Sequence, residues 1–211
     1  MKKTEIVFVL DRSGSMHGLE ADTIGGYNSF LAKQKAEEGE AVISTVLFDD
    51  VSQVLHNRVP ISKVSPITDK EYYVRGCTAL LDALGGAVHH IHALHKEEGE
   101  NAPEKTVFVV ITDGLENASR RYTAEKVKKM VEKRKKKNGW EFLFLGANID
   151  AVKEAGRYGI EADHAVNFHN DEKGVELNYR ILSETVSAVR RNAKVSAGWA
   201  DEIKKDFKSR K

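Results

Sequence analysis

Three short segments carry oxygen-rich side chains that could hold a metal ion: Asp11-Arg12-Ser13-Gly14-Ser15-Met16, Gly76-Cys77-Thr78 and Thr112-Asp113-Gly114. The donors on offer are the carboxylates of Asp11 and Asp113 and the hydroxyls of Ser13, Ser15 and Thr78. None of these donors is a His or Cys. Hard oxygen ligands of this kind suit Mg²⁺, Mn²⁺ or Ca²⁺ and do not suit Zn²⁺. The alternate spacing of Asp11, Ser13 and Ser15 lets all three turn toward one ion if the loop curls over it. Gly14 is expected to permit that curl. Two carboxylates just neutralise a divalent cation, and three hydroxyls add no charge. Such an ion stays electrophilic toward an outside anion. Mg²⁺ prefers six ligands and keeps waters, so a Glu or Asp from a partner protein could take the place of one water.

The elements around these segments must bring them to one place. Ile6 to Leu10 is an unbroken apolar, β-branched run, as expected of a strand covered on both faces. A helical pattern follows from Leu19 to Glu37, and Gly39 stops it. Ala41 to Phe48 reads as the second strand. Asp49-Asp50 makes a turn into a return strand over Val51 to Leu55. Residues 57–75 read as loop. Thr78 to Lys96, Tyr122 to Lys137, Ile149 to Tyr158 and Lys173 to Asn192 read as helices. Between them, Thr106 to Ile111, Trp140 to Leu145 and Ala165 to Phe168 read as strands. Strands alternating with helices imply an α/β fold: a Rossmann-like, doubly wound, mostly parallel six-stranded sheet with one antiparallel edge strand and helices on both faces. The three donor segments all follow a strand or open a helix. They should meet at the carboxyl edge of the sheet, where strand order reverses.

The chain has 211 residues, with 33 Lys+Arg against 32 Asp+Glu and a formal net charge of +1. That length suits one domain of this size. Residues 1–192 are expected to form it, and 193–211 a polar tail. Within the tail, Trp199, Ile203 and Phe207 recur at helical spacing, so a short amphipathic helix is expected, packed back on the domain or, as the sharper alternative, docking a partner. The balanced charge argues against bulk binding to nucleic acid or membranes. The apolar run after Met1-Lys2-Lys3 is too short for a secretory signal, and no stretch reaches membrane-spanning length. With a single cysteine, Cys77, the expectation is a soluble cytoplasmic monomer in a reducing compartment.

The segment Val7-Phe8-Val9-Leu10-Asp11-Arg12-Ser13-Gly14-Ser15-Met16 resembles the signature of von Willebrand factor A (VWA) domains. Asp11, Ser13 and Ser15 match the DxSxS motif of that family's metal-ion-dependent adhesion site. Thr78 matches its threonine, and Asp113, in Ile111-Thr112-Asp113-Gly114, matches its distal aspartate. The resemblance covers about residues 4–192 and is nearest to stand-alone bacterial or phage members. It implies a Rossmann-like fold, non-enzymatic metal-dependent capture of an acidic residue on a partner protein, and frequent association with AAA+ ATPases. It also implies that the last helix, Leu177 to Val189, moves when a ligand replaces water at the metal. Arg12, Met16, Gly114 and Glu116 would then form the partner-binding rim, with Arg12 and Met16 as surface contacts and Glu116 as a solvated acid or a water-mediated contact to the ion.

Other readings compete with this one. Ser13, Ser15 and Thr78 are also good helix caps, and Asp113 suits a turn. Cys77 is expected to be a small buried filler. His89, His90, His92 and His95 are expected to lie on the solvated face of their helix. The basic run over 126–137 could bind nucleic acid, but it has an apolar stripe (Val127, Met130, Val131) and no interleaved aromatics for base stacking. A haloacid-dehalogenase-like phosphatase would also place an aspartate and Mg²⁺ after the first strand. It needs a second acid two residues on, where this chain has Ser13.

Overall fold

The computed structural model describes residues 3–210. The strands are β1 (Thr4–Asp11), β2 (Ala41–Phe48), β3 (Ser52–Pro60), β4 (Lys105–Thr112), β5 (Glu141–Ala147) and β6 (Ala165–Phe168). The helices are α1 (Glu20–Ala36), α2 (Leu80–Glu98), α3 (Ala124–Asn138), α4 (Ala151–Arg157), α5 (Glu172–Arg190) and α6 (Asp201–Ser209). The strand order is β3-β2-β1-β4-β5-β6. All neighbours are parallel except β2 and β3.

Every residue of β1 is buried, because both of its faces are covered. Ile6, Phe8 and Leu10 pack with Tyr27 and Phe30 of α1 and Tyr179 and Leu182 of α5. Val7 and Val9 face the other way, against Leu84 and Val88 of α2 and Val127 of α3. Each such side chain contributes about 1.5–3 kcal/mol by leaving water. A strand buried on both faces therefore reads as continuous apolar sequence, not as alternation. The layers are α1, α5 and α6 on one face and α2, α3 and α4 on the other.

Helix starts follow local chemistry. Thr123, Asp150 and Asp171 cap α3, α4 and α5 by accepting from backbone N–H groups three residues on. Gly139, at φ 64°, closes α3 by donating to the Lys135 carbonyl. Asp82 on α2 accepts from the backbone N–H groups of Arg120, Arg121 and Tyr122, which orders the loop between β4 and α3.

Several expectations fail, each for a physical reason. The return strand runs to Pro60 and not to Leu55, so part of the expected 57–75 loop is strand. β3 is an edge strand with mixed exposure and register shifts against β2 near Thr45, so its sequence has no clean period. Cys77 is exposed and not buried; its backbone N–H is taken by the Asp50 carboxylate, which holds the residue on the surface loop. His95 is buried, contrary to a solvated face, because its Nε2 bonds the buried Glu5 carboxylate at 3.0 Å. The tail helix α6 packs on the domain, with Trp199 and Ile203 in the core cluster. The Trp199 indole N–H donates to the Asp163 carbonyl at 2.7 Å.

Candidate metal centre

Strand order reverses between β1 and β4, so the loops leaving their carboxyl ends diverge and leave a crevice. Asp11 is the last residue of β1 and Asp113 follows the last residue of β4. The Asp11 carboxylate is gripped from two sides: the Ser13 backbone N–H donates to Oδ1 at 2.7 Å and the Thr112 hydroxyl to Oδ2 at 2.5 Å. The Ser15 hydroxyl donates to Asp113 Oδ1 at 2.5 Å and lies 3.2 Å from the Ser13 hydroxyl. Thr78 precedes α2, so its hydroxyl is not used inside that helix. Asn117 holds Thr78 twice: its side-chain Oδ1 accepts from the Thr78 N–H and its backbone N–H donates to the Thr78 carbonyl. A β-carbon on Gly114 would sit 3.3 Å from Thr78 Oγ1 and 3.5 Å from Ser15 Oγ. Thr78 therefore joins the other donors across the gap that Gly114 leaves open. The five residues expected as donors lie at the same carboxyl edge of the sheet, on both sides of Gly114.

The curl of the first loop does not depend on a left-handed glycine at position 14, since Gly14 is not among the residues with positive φ. Gly76 has that conformation, at φ 68°, and a β-carbon there would lie 2.5 Å from Asp50 Oδ2. Its carbonyl receives the Gly14 N–H at 3.1 Å, which joins the first and second donor loops.

The site is electrostatically unfinished. Burial pushes the Asp11 carboxyl up to about 6, against hydrogen bonds from Ser13 and Thr112 that pull it down, and the nearby Asp113 charge adds to the rise. Asp113 is raised too, first by burial, with Ser15 and Asn170 opposing. Among the described residues, no Lys, Arg or His forms an ion pair with either one. The nearest guanidinium in sequence, Arg12, is committed elsewhere. Its Nε donates to Asp49 at 2.8 Å and its Nη1 to Gln53 at 2.9 Å. Arg75 donates to the same Asp49 oxygen, and Tyr73 stacks near both guanidiniums.

Two buried carboxylates at neutral pH, three hydroxyls beside them and no protein cation fit a hard divalent ion. No group of three or more His, Cys, Asp and Glu that could hold a metal occurs among the described residues. Any ion held here would need the hydroxyls as well as the two carboxylates.

The expected rim needs correcting. Arg12 and Met16 are not surface contacts: both are buried, at 0% and 2% exposure. Arg12 is drawn in by Asp49, 37 residues away. Glu116 is neither a solvated acid nor free for the ion. Its carboxylate accepts from the backbone of Leu81, Ala118 and Ser119 and from the Ser119 hydroxyl, tying the β4 loop to the start of α2. Gly114 is half-buried beside Thr78 and Ser15. The exposed apolar residues on these loops are Leu115, Tyr73 and Val51, and none was expected there. Also unexpected were Thr112, Tyr72 (whose hydroxyl donates to the Asp11 carbonyl at 2.6 Å) and Asn170 (whose amide donates to Asp113 at 3.0 Å). Thr112 directly precedes Asp113, so its sequence position was a signal. Tyr72 and Asn170 lie 61 and 57 residues from their partners and carried no local one.

The basic run does not form one continuous cationic face. Arg134 is buried, with Nη1 against the His92 ring, and Lys135 turns in to the Gly159 carbonyl. No helix among the described residues is long and apolar enough to cross a membrane.

The six-stranded, mostly parallel sheet with one antiparallel edge strand and helices on both faces is a VWA-like, Rossmann-type fold. The chain belongs to the family of VWA domain containing CoxE-like proteins, whose profile matches residues 1–140. No curated protein sequence matches it. Solved structures that resemble it include the pilus adhesin SpaC from Lactobacillus rhamnosus GG, with TM-score 0.67, 14% identity, and 90% of this chain and 30% of that one covered. A von Willebrand factor type A protein from Catenulispora acidiphila aligns with TM-score 0.60 and 16% identity over 89% of this chain and 43% of that one. Manganese-loaded TRAP protein of Plasmodium vivax aligns with TM-score 0.50 and 17% identity over 69% of this chain and 57% of that one. The chain thus spans between 30% and 57% of the length of these three. At such identities the likeness concerns the fold.

Proposed function

We propose that this chain is a metal-dependent protein-binding domain. It would hold one divalent cation, Mg²⁺ or Mn²⁺ before Ca²⁺, and use it to capture a Glu or Asp of a partner protein. The observation that carries this reading is the pair of buried carboxylates, Asp11 and Asp113, that no protein cation neutralises. Asp11, Ser13, Ser15, Thr78 and Asp113 would be the residues around the ion. When bound, the ion would supply a positive charge with an exchangeable coordination position. Ser15 is the exposed member of the set, so a ligand would approach from its side. The manganese in the similar TRAP structure supports the choice of cation class.

The corrected rim narrows the partner. Leu115, Tyr73 and Val51 are exposed, and Arg75 and Arg120 lie on the same loops. A segment with an acidic residue flanked by apolar ones suits that surface better than a highly charged one. An AAA+ ATPase is the partner class to try first, on the family resemblance. Hydrolysis is disfavoured because Ser13 stands where a phosphatase of similar topology needs an acid.

The test is calorimetric titration of Mg²⁺ and Mn²⁺ into metal-free protein, with Asp11→Ala as control. Saturable binding lost in the variant supports the site, and a partner then captured should elute with chelator rather than with salt. A wild type that binds neither ion would overturn the reading.

A further inference from the structure

The loop held by the C-terminal helix reaches the candidate metal centre through one side chain. The loop from β6 to α5, residues 169–171, crosses over β5 so that Asn170 Nδ2 donates to Asp113 Oδ2 at 3.0 Å. With the Ser15 hydroxyl on Oδ1, both oxygens of Asp113 are then held. The amide of Asn170 can take only one orientation, because turning it over would set its Oδ1 against a carboxylate. In this orientation Oδ1 is buried and has no partner. A buried acceptor of that kind calls for a donor that the protein does not supply, and a water held on a cation beside Asp113 is such a donor.

The loop is pinned from the far side by α6. His169 Nε2 lies 3.1 Å from the Phe207 carbonyl, and the two rings pack with centroids 4.7 Å apart. Arg210 donates to Asp171 Oδ2 at 2.5 Å and to Asp206 within its own helix. Lys173 pairs with Asp206 at 2.9 Å. Asp171 spends its other oxygen on capping α5 at Gly174. Gly174 lies so close to the loop that a β-carbon there would overlap the His169 carbonyl oxygen, 2.0 Å away. Little slack is left between the α6 contacts and Asn170. All of these residues lie beyond the segment matched by the family profile, residues 1–140.

We infer that Asn170 is a positioning residue of the metal centre, which orients Asp113 toward the cation, and that α6 sets the affinity of the site by holding Asn170 there. The inference rests on the proposed metal site. In it, the tail is a strap whose docking is felt at the opposite end of α5's leading loop. Partners of metal-bound groups commonly change affinity about 10- to 100-fold when removed. Arg210 acts one step further away and should have a smaller effect, and only through Asn170.

The experiment measures Mn²⁺ affinity by calorimetry and thermal stability in chelator for full-length wild type, Asn170→Ala, Arg210→Ala and the double variant. Asn170→Ala should bind Mn²⁺ about tenfold more weakly, with its metal-free melting temperature within about 2 °C of wild type. Arg210→Ala should weaken binding about threefold, and the double variant should match Asn170→Ala alone, since coupled residues are not additive. A merely structural role would lower the melting temperature and leave Mn²⁺ affinity unchanged, and that result overturns the inference. So does additivity of the two substitutions, which would show that α6 acts by another route. A wild type that does not bind Mn²⁺ brings down the metal site itself, a different failure.

Discussion

Strand β1 carries a buried carboxylate at each end, Glu5 and Asp11, and the fold treats them in opposite ways. Both residues are fully buried. Glu5, at the amino edge, meets the Arg58 guanidinium at 2.8 Å and the His95 ring at 3.0 Å. Ser44 adds a hydroxyl contact, and Arg58 is anchored by a two-pronged pair with Glu98. Asp11, at the carboxyl edge, meets two hydrogen-bond donors and a second carboxylate. The adjacent Asp49, which has Arg12 and Arg75, shows that cations were within reach of this edge. Glu5 is satisfied by the chain alone. Asp11 has hydrogen-bond donors but no cation from the chain, and under the proposed function that difference separates a structural ion pair from a binding site.

The largest effect should come from breaking the completed end. Arg58→Met leaves Glu5 buried without its main partner and should cost about 3–5 kcal/mol in urea unfolding. An effect near zero would mean that Glu5 does not depend on Arg58 and would remove the contrast.

The incomplete end should respond to pH in the opposite sense to most acids. Asp11 is raised from 3.8 to about 6 in the folded protein, so the fold binds its proton more tightly than the unfolded chain does. That contribution is complete below pH ~4 and is lost as pH rises through about 6, worth about 3 kcal/mol in all. In chelator, the melting temperature should therefore be higher at pH 5 than at pH 7.5. Saturating Mn²⁺ should reverse the trend, because the ion binds the deprotonated carboxylate. A chelated protein more stable at pH 7.5 than at pH 5 would contradict the electrostatic account.

Neutralising the same residue sharpens the point. Asp11→Asn should stabilise the metal-free protein at pH 7.5 by about 1–2 kcal/mol, because it removes an unpaired buried charge at some loss of hydrogen bonding, while abolishing Mn²⁺ binding. Destabilisation together with retained binding would show that Asp11 is a structural residue like Glu5. Among the proposed donors, the mildest loss of Mn²⁺ binding is expected at Thr78, which adds no charge. Thr78→Val should weaken Mn²⁺ binding about tenfold, or about 1.4 kcal/mol, and an unchanged isotherm would take Thr78 out of the donor set.

What the sequence disclosed follows from how local each interaction is. β1 and β4 were legible because a parallel strand covered on both faces is continuously apolar. The loop after β1 was legible because Asp11, Ser13 and Ser15 lie within five residues and bond one another. The tail helix was legible through the spacing of Trp199 and Ile203, both buried. β3 was only half legible, since an edge strand with register shifts keeps no period. Arg12 looked exposed because its partners, Asp49 and Gln53, are 37 and 41 residues away. Asn170 was invisible because its meeting with Asp113 depends on a loop crossing a neighbouring strand.

The most direct test of the central claim is a crystal of this protein grown with Mn²⁺ and measured at the manganese absorption edge. The account predicts one anomalous peak among Asp11, Ser13, Ser15, Thr78 and Asp113, absent from Asp11→Asn crystals, with no metal at the Glu5 end. A map with no peak between Asp11 and Asp113, or with manganese bound only at the histidines of α2, would contradict it.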